Sequence, residues 1–146
     1  MTVIKRIRAE QTYPLRQEIL RPHRPAVECR FPNDFDDTTA HFGALDSGRI
    51  VGILSVYLAS NEQLGIAHSW QLRAMATSED HRGKGLGLRL LEAAESYVSA
   101  QGGKCIWANA RLHALGFYKK AGYAAHGERF HIAHVGPHVL VTRMLN

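Results

Sequence analysis

Only two cysteines occur in the 146 residues, Cys29 and Cys105, and they form no C-x-x-C pair. That scarcity excludes a disulfide framework and a thiolate metal cluster, leaving two reduced, partly buried thiols as the expectation. The nine histidines are scattered without zinc-ligand spacing, so no metal is expected. No apolar run is long enough to span a bilayer. The N-terminal Met1-Thr2-Val3-Ile4-Lys5-Arg6 lacks the apolar core of a signal peptide, so a cytoplasmic location is expected. No linker, repeat or low-complexity stretch appears, and residues 1–146 are read as one domain, long enough to bury roughly two-thirds of its unfolded surface. The net charge of +5 raises the possibility of nucleic acid as a partner. The cations, however, are gathered neither into a run with interleaved aromatics nor on one helix face, and no nucleic-acid or membrane partner is expected.

Periodicity predicts the order β-α-β-β-β-α-β-α-β-β. Residues 2–8 read as a strand, and 10–20 as a helix that Pro22 stops. Residues 21–37, with Pro22, Pro25 and Pro32, read as a loop able to cover a site. Residues 39–45 and 49–58 make a hairpin about Asp46-Ser47-Gly48. Trp70 to Thr77 is a mostly buried strand. After it, Leu86, Leu90, Ala94, Tyr97 and Val98 recur at helical spacing. Another strand covers 104–108, a short helix 111–121 ends at Gly122, and two closing strands lie near 123–131 and 137–145. Strands mixed with a few helices indicate an α+β or mixed α/β fold.

Between the buried strand and the long helix stands His81-Arg82-Gly83-Lys84-Gly85-Leu86-Gly87-Leu88-Arg89. Glycines there let a ligand approach the main chain, and the first amides of the helix point outward unpaired. Those amides and the positive end of the helix dipole favour phosphate or pyrophosphate. The dinucleotide fingerprint is ruled out because Leu88 or Leu90 stands where its third glycine belongs, and no Gly-Lys-Ser or Gly-Lys-Thr makes a Walker A loop. The plainer reading is a glycine-rich turn with solvated lysine and arginine.

Arg82-Gly83-Lys84-Gly85-Leu86-Gly87 resembles the R-x-x-G-x-G/A pattern of the GNAT N-acetyltransferase superfamily, whose loop holds the pyrophosphate of acetyl-CoA. The resemblance extends through Ile19-Leu20-Arg21-Pro22, Gln71-Leu72-Arg73-Ala74-Met75-Ala76-Thr77, Trp107-Ala108-Asn109-Ala110-Arg111, Gly116-Phe117-Tyr118-Lys119-Lys120-Ala121-Gly122-Tyr123 and Gly136-Pro137-His138. Within the superfamily it is closest to the glyphosate N-acetyltransferases. It implies one GNAT fold, with about seven strands in a mixed sheet that splays between its fourth and fifth strands. It also implies acetyl-CoA as donor, with no metal, and a protein that is a monomer or homodimer.

The resemblance assigns roles residue by residue. His138 aligns with the general base and Tyr118 with the general acid that protonates the departing thiolate. Acetyl-CoA would be held by Met75, Ala76 and Thr77, by the turn residues Arg82, Gly83, Lys84, Gly85, Leu86, Gly87 and Leu88, and by Asn109, Phe117 and Lys120. The Met75 amide would meet the developing oxyanion. Arg21, Arg73 and Arg111 align with arginines that bind the anionic groups of the acceptor, a task suited to the planar guanidinium fork. Arg73 interrupts an apolar strand, so it needs an anionic partner or a cavity. Each residue also has a plainer role. His138 could be a hydrogen-bonded structural histidine, Tyr118 packing, Asn109 a helix cap, and the arginines partners of Glu10, Glu28 or Asp34. Neither cysteine lies in a nucleophile motif, so direct transfer to the amine is expected. The segments 27–34 and 127–134 carry their own charge pattern, which leaves the acceptor open. Transfer to a protein or peptide amine and a non-catalytic acyl-CoA sensor are the alternatives.

Overall fold

Alternating exposure marks β1 (Thr2–Ile7) as the edge of a sheet, with Ile4 and Ile7 turned partly inward and Val3, Lys5 and Arg6 in solvent. It pairs antiparallel with β2 (Ala40–Asp46), which returns through Ser47 and Gly48 into β3 (Arg49–Leu58). The turn residues have φ of 51° and 84°, the two-residue geometry whose twist matches its strands. The expected hairpin is therefore present to within a residue. The remaining strands are β4 (Ser69–Thr77), β5 (Cys105–Arg111), β6 (Ala124–Ile132) and β7 (Gly136–Met144), and the sheet order is β1-β2-β3-β4-β5-β7-β6. The computed structural model describes residues 1–145. Backbone contacts divide the chain into two compact units, the first made of Met1–Tyr57 and Arg73–Tyr97, the second of Leu58–Leu72 and the residues from Val98 onward.

In the first unit the helical stretch expected for 10–20 is present but changes pitch. A 3-10 turn (Ala9–Thr12) leads into α1 (Tyr13–Leu15) and then a π turn (Arg16–Leu20), closed by the Arg21 amide on the Arg16 carbonyl at 2.9 Å. Pro14 is tolerated because the first turn leaves its amide position unpaired anyway. Residues 21–37 form the expected irregular segment, with a short 3-10 turn at Ala26–Cys29. Strand β3 is buried continuously from Val51 to Tyr57, the pattern of a central strand covered on both faces. The helix α2 (Leu86–Ala100) turns Leu86, Leu90, Leu91 and Ala94 inward. Each such leucine contributes roughly 1.5–3 kcal/mol by leaving water. Gly52 makes the approach possible, because a Cβ there would stand 3.2 Å from Leu90 Cδ1 and 3.3 Å from Ala44 Cβ.

In the second unit, Ser69–Gln71 of β4 pairs parallel with Cys105–Trp107 of β5. The pairing stops there although β4 runs to Thr77 and β5 to Arg111, so the two strands part. Strand β5 stays paired along its whole length with antiparallel β7, which in turn carries β6 at the other edge. Between β5 and β6 a 3-10 turn (Leu112–Ala114) precedes α3 (Leu115–Lys120). The helix ends as expected at Gly122, φ 97°, with the Tyr123 amide on the Tyr118 carbonyl at 2.9 Å. Gly103 is demanded by space, since a Cβ would collide with Val98 and Trp70. Among the described residues no helix is long and apolar enough to cross a membrane.

Candidate active site

The turn between β4 and α2 has the shape its glycines suggested. Gly83 and Gly85 adopt φ of 78° and 77°, and nothing lies within 4 Å of where a Cβ would stand on either. The first helical hydrogen bond runs from the Arg89 amide to the Gly85 carbonyl at 3.2 Å, so the amides of Leu86, Gly87 and Leu88 precede it. Arg82, Lys84 and Arg89 are exposed around the opening, and Leu86 is anchored in the core with 4% exposure. Bare main-chain donors, an unobstructed approach and three flanking cations make a donor set that fits a pyrophosphate.

Upstream, β4 carries a feature that no sequence motif signals. Ala74, mid-strand, has φ of 60°, a left-handed conformation that an alanine adopts only under compulsion from its surroundings. It breaks the strand alternation, and Arg73, Ala74 and Met75 are all half-exposed in consequence. The Met75 amide therefore directly follows a residue in left-handed conformation within the strand. Ala76 is buried and Thr77 half-buried.

Arg73 has no carboxylate within salt-bridge reach among the described residues, and neither has Arg21. Two of the three acids that could have taken them are engaged elsewhere, Glu28 by Arg24 at 2.7 Å and Asp34 by Arg16 at 2.8 Å. Arg73 instead lies flat on Phe31, its Cζ 3.8 Å from the ring centroid. Burial, reinforced by the charges of Arg16 and Arg21 and opposed by Tyr57 and Asp34, pushes the Arg73 pKa down. A half-buried guanidinium close to two others and lacking a counter-ion is a place for an anion.

The second unit brings Arg111 and His138 together. They are register partners across the β5–β7 ladder, and side chains so paired stand on one face about 5 Å apart at Cβ. His138 is 3% exposed and stacks on Phe130, its partner across β6, at 5.9 Å and 27°. Its Nδ1 lies 2.7 Å from the Gly136 carbonyl, which can only accept, so Nδ1 carries the proton and Nε2 of the neutral ring keeps a lone pair. Burial lowers the His138 pKa, and Arg111, His131 and His113 lower it further against the Gly136 bond. The imidazole is thus neutral at physiological pH. Beside it, Arg111, Leu112, His113, Val135 and Pro137 line an open depression of about 370 Å³.

Tyr118 packs edge-on against Phe117 and Tyr123, each at 5.4 Å, and burial pushes its phenol up to about 12. It is therefore protonated throughout the neutral range. Phe117 is half-buried and Lys120 exposed at the end of α3. Asn109 lies exposed within β5 and caps nothing, because Arg111 and Ala114 occupy the N-cap positions of the two following turns. Its plainer reading as a helix cap does not hold.

One cluster escaped sequence reasoning. Arg16 is 1% exposed and donates to both oxygens of Asp34 (2.8 and 3.1 Å), to the Cys29 carbonyl (2.9 Å) and to Ser55 Oγ and Tyr57 Oη (3.0 Å each). His41 joins through Ser55 Oγ at 2.7 Å and the Asp34 carbonyl at 2.9 Å. Asp34 also receives the Phe31 amide at 2.9 Å, so this pair holds the segment whose aromatic ring supports Arg73. The only signal in the sequence was the polar pattern of Ser55 and Tyr57 in an apolar strand. Among the described residues no group of three or more His, Cys, Asp or Glu is placed to hold a metal.

The sheet is seven-stranded and mixed, its fourth and fifth strands are parallel where they pair, and a glycine turn leads from the fourth strand into a helix. The family model for acetyltransferases of the GNAT family matches residues 4–123, and the chain belongs to that family. The uncharacterized N-acetyltransferase YitI of Bacillus subtilis (strain 168) is 34% identical over 145 residues, covering 99% of this chain and 97% of its own length. Among solved structures, an aminoglycoside 6'-N-acetyltransferase complexed with coenzyme A shares the fold at a TM-score of 0.77 and 16% identity, over 97% of this chain and 96% of that one. A GCN5-related N-acetyltransferase from Kribbella flavida does so at 0.76 and 17%, over 99% and 98%. The protein is accordingly a GNAT acyltransferase, an enzyme of a family that uses acetyl-CoA.

Proposed function

We propose that this enzyme, working as one acetyltransferase domain over residues 1–146, transfers acetyl from acetyl-CoA directly to the amine of a small anionic acceptor. The acceptor class is an amino acid or amino-phosphonate resembling glyphosate, bound together with the donor in a ternary complex. Acetyl-CoA supplies the activated acetyl thioester; the remaining tasks fall to the chain. Arg82 to Leu88 hold the pyrophosphate through main-chain amides and two cations. The backbone of Met75, Ala76 and Thr77, with Asn109, Phe117 and Lys120, holds the rest of the donor. The Met75 amide donates to the carbonyl oxygen as negative charge develops on it.

The observation that carries the acceptor reading is the Arg111–His138 register pair, a cation and a neutral imidazole with Nε2 free, side by side at an open depression. His138 takes a proton from the acceptor ammonium at Nε2. Tyr118, protonated throughout the neutral range, gives its proton to the thiolate as the C–S bond breaks, and its phenolate is restored by the second proton that the amine nitrogen sheds on becoming an amide. Arg111, with Arg21 and the counter-ion-free Arg73, binds the acceptor's acidic groups. Both cysteines are buried, and burial raises each thiol pKa, which supports direct transfer over an acetyl-cysteine route.

The test is thiol release from acetyl-CoA across anionic amino acids and amino-phosphonates, polyamines, aminoglycosides and short peptides. Anionic amines should give the highest kcat/KM. Preference for polyamines, aminoglycosides or peptides overturns the acceptor reading.

A further inference from the structure

His81 immediately precedes the phosphate-binding turn, and both of its ring nitrogens face carboxylates. Nε2 lies 2.9 Å from Asp46 Oδ2 and Nδ1 lies 3.0 Å from Asp80 Oδ1, with Ser78 Oγ also 3.1 Å from Nδ1. Carboxylates only accept, so both bonds form together only when both nitrogens carry hydrogen. The ring side chain is 8% exposed, shut in by these contacts. The elements it joins are separate in sequence. Asp46 ends β2, whereas Ser78 and Asp80 follow β4 in the 3-10 turn that contains His81, and the Ser78 amide is already fixed on the Val51 carbonyl of β3 at 2.8 Å. His81 adds β2 to that root, one residue before Arg82.

We infer that His81, as an imidazolium bridging Asp46 and Asp80, is a positioning residue for the turn, and that affinity for the donor depends on its proton. The inference rests on the proposed reading of Arg82 to Leu88 as the pyrophosphate site. The charges facing the ring come from every neighbouring element. Asp46 lies 3.9 Å from the Met1 amino group, Asp80 lies 3.5 Å from Arg49 across the hairpin, and Lys84 of the turn opposes protonation. The hydrogen bonds to Asp46 and then Asp80 outweigh burial and Lys84, and raise the His81 pKa above its usual 6.5. Asp80 is correspondingly held down to about 2, chiefly by its bond from His81. The sign follows: the double bridge is intact at and below that usual value, and one arm is lost as pH climbs through the raised one.

The experiment is calorimetric titration of the full-length protein with CoA from about pH 6 to about pH 9, the span in which histidine changes charge. The wild type should lose affinity by up to about tenfold across the His81 transition, the scale of one charge-assisted hydrogen bond. His81→Gln should bind more weakly at low pH and show no such transition. Asp46→Asn separates position from charge. It makes the locale more positive, so simple attraction to phosphate would tighten CoA, whereas a broken bridge loosens it. Parallel profiles for wild type and His81→Gln, or tighter binding by Asp46→Asn, would overturn the inference. Gly85→Val serves as reference: unchanged CoA affinity there removes the pyrophosphate site itself, whereas lost affinity with parallel pH profiles removes only the role of His81.

Discussion

Replacing Asp34 by asparagine keeps the shape of the side chain and deletes its charge, which leaves the Arg16 guanidinium, 1% exposed, as a buried cation without a counter-ion. Asp34 accepts two bonds from Arg16, one from Tyr57 Oη at 2.6 Å and one from the Phe31 amide, and an amide oxygen cannot replace all of them. Breaking a buried pair in this way costs about 3–5 kcal/mol, against a total stability on the order of 10 kcal/mol for a chain of this size. The urea midpoint should fall with an unchanged m value, and the melting temperature should drop by about 10–15 °C. Removing both charges together, as Arg16→Met with Asp34→Leu, should cost less than Asp34→Asn alone, because no ion is then left desolvated. A pH series adds a second check. Burial opposes ionisation of Asp34, but the bonds from Arg16, Tyr57 and the Phe31 amide prevail and hold its pKa below 3.8. Its stabilisation is therefore present above that value and lost as pH falls through the depressed one, a component of acid unfolding that Asp34→Asn should lack. An Asp34→Asn protein within about 1 kcal/mol of wild type would refute the reasoning.

His138→Ala should lower turnover by about a hundredfold or more while leaving CoA affinity, measured by calorimetry, within about twofold of wild type. Arg73→Ala should raise the KM for anionic amines and leave uncharged amines unaffected, and Arg73→Lys should restore little, because an ammonium neither forks onto a carboxylate nor lies flat on Phe31. Equal weakening of every acceptor would show that Arg73 serves the fold and not the anion.

Much of this architecture was legible because its signals are local. The turn at Ser47 and Gly48, the helically spaced apolar residues of α2 and the glycine stop at Gly122 each announce themselves within a few residues. The glycine turn before α2 was legible for the same reason, since Gly83 and Gly85 are needed for their own φ. The Arg16–Asp34 pair was not, because it joins residues 18 apart to others in β3, and neither partner's neighbours reveal burial. Nor was the left-handed turn of the backbone at Ala74, where an ordinary residue adopts a glycine-like conformation. The helix at 10–20 was recognised, yet its widening into a π turn at Arg16 has no periodic signature, and that turn contains the buried arginine. Arg21 and Arg73 could be listed as acceptor ligands from a motif, but only the structure reveals that Arg24 and Arg16 occupy the acids that would otherwise have neutralised them.

In the proposed mechanism the cations that would collect an acidic acceptor also set the strength of the base, and this coupling has a measurable sign. In the free enzyme burial first, then the charges of Arg111, His131 and His113, hold the His138 pKa below 6.5, so the ring is ready to accept a proton. An anion bound to Arg111 cancels part of that positive field one ladder position from the ring, and the imidazolium becomes less unfavourable. The loaded enzyme thus has a stronger base than the free enzyme. Since kcat/KM reports the free enzyme and kcat the complex, the acid limb of kcat should lie at higher pH than the acid limb of kcat/KM. With an uncharged amine, or with Arg111→Gln, the two limbs should coincide. Profiles for an anionic acceptor that superimpose in the native enzyme would separate the arginine from the histidine, and would leave Arg111 no part in the chemistry of His138.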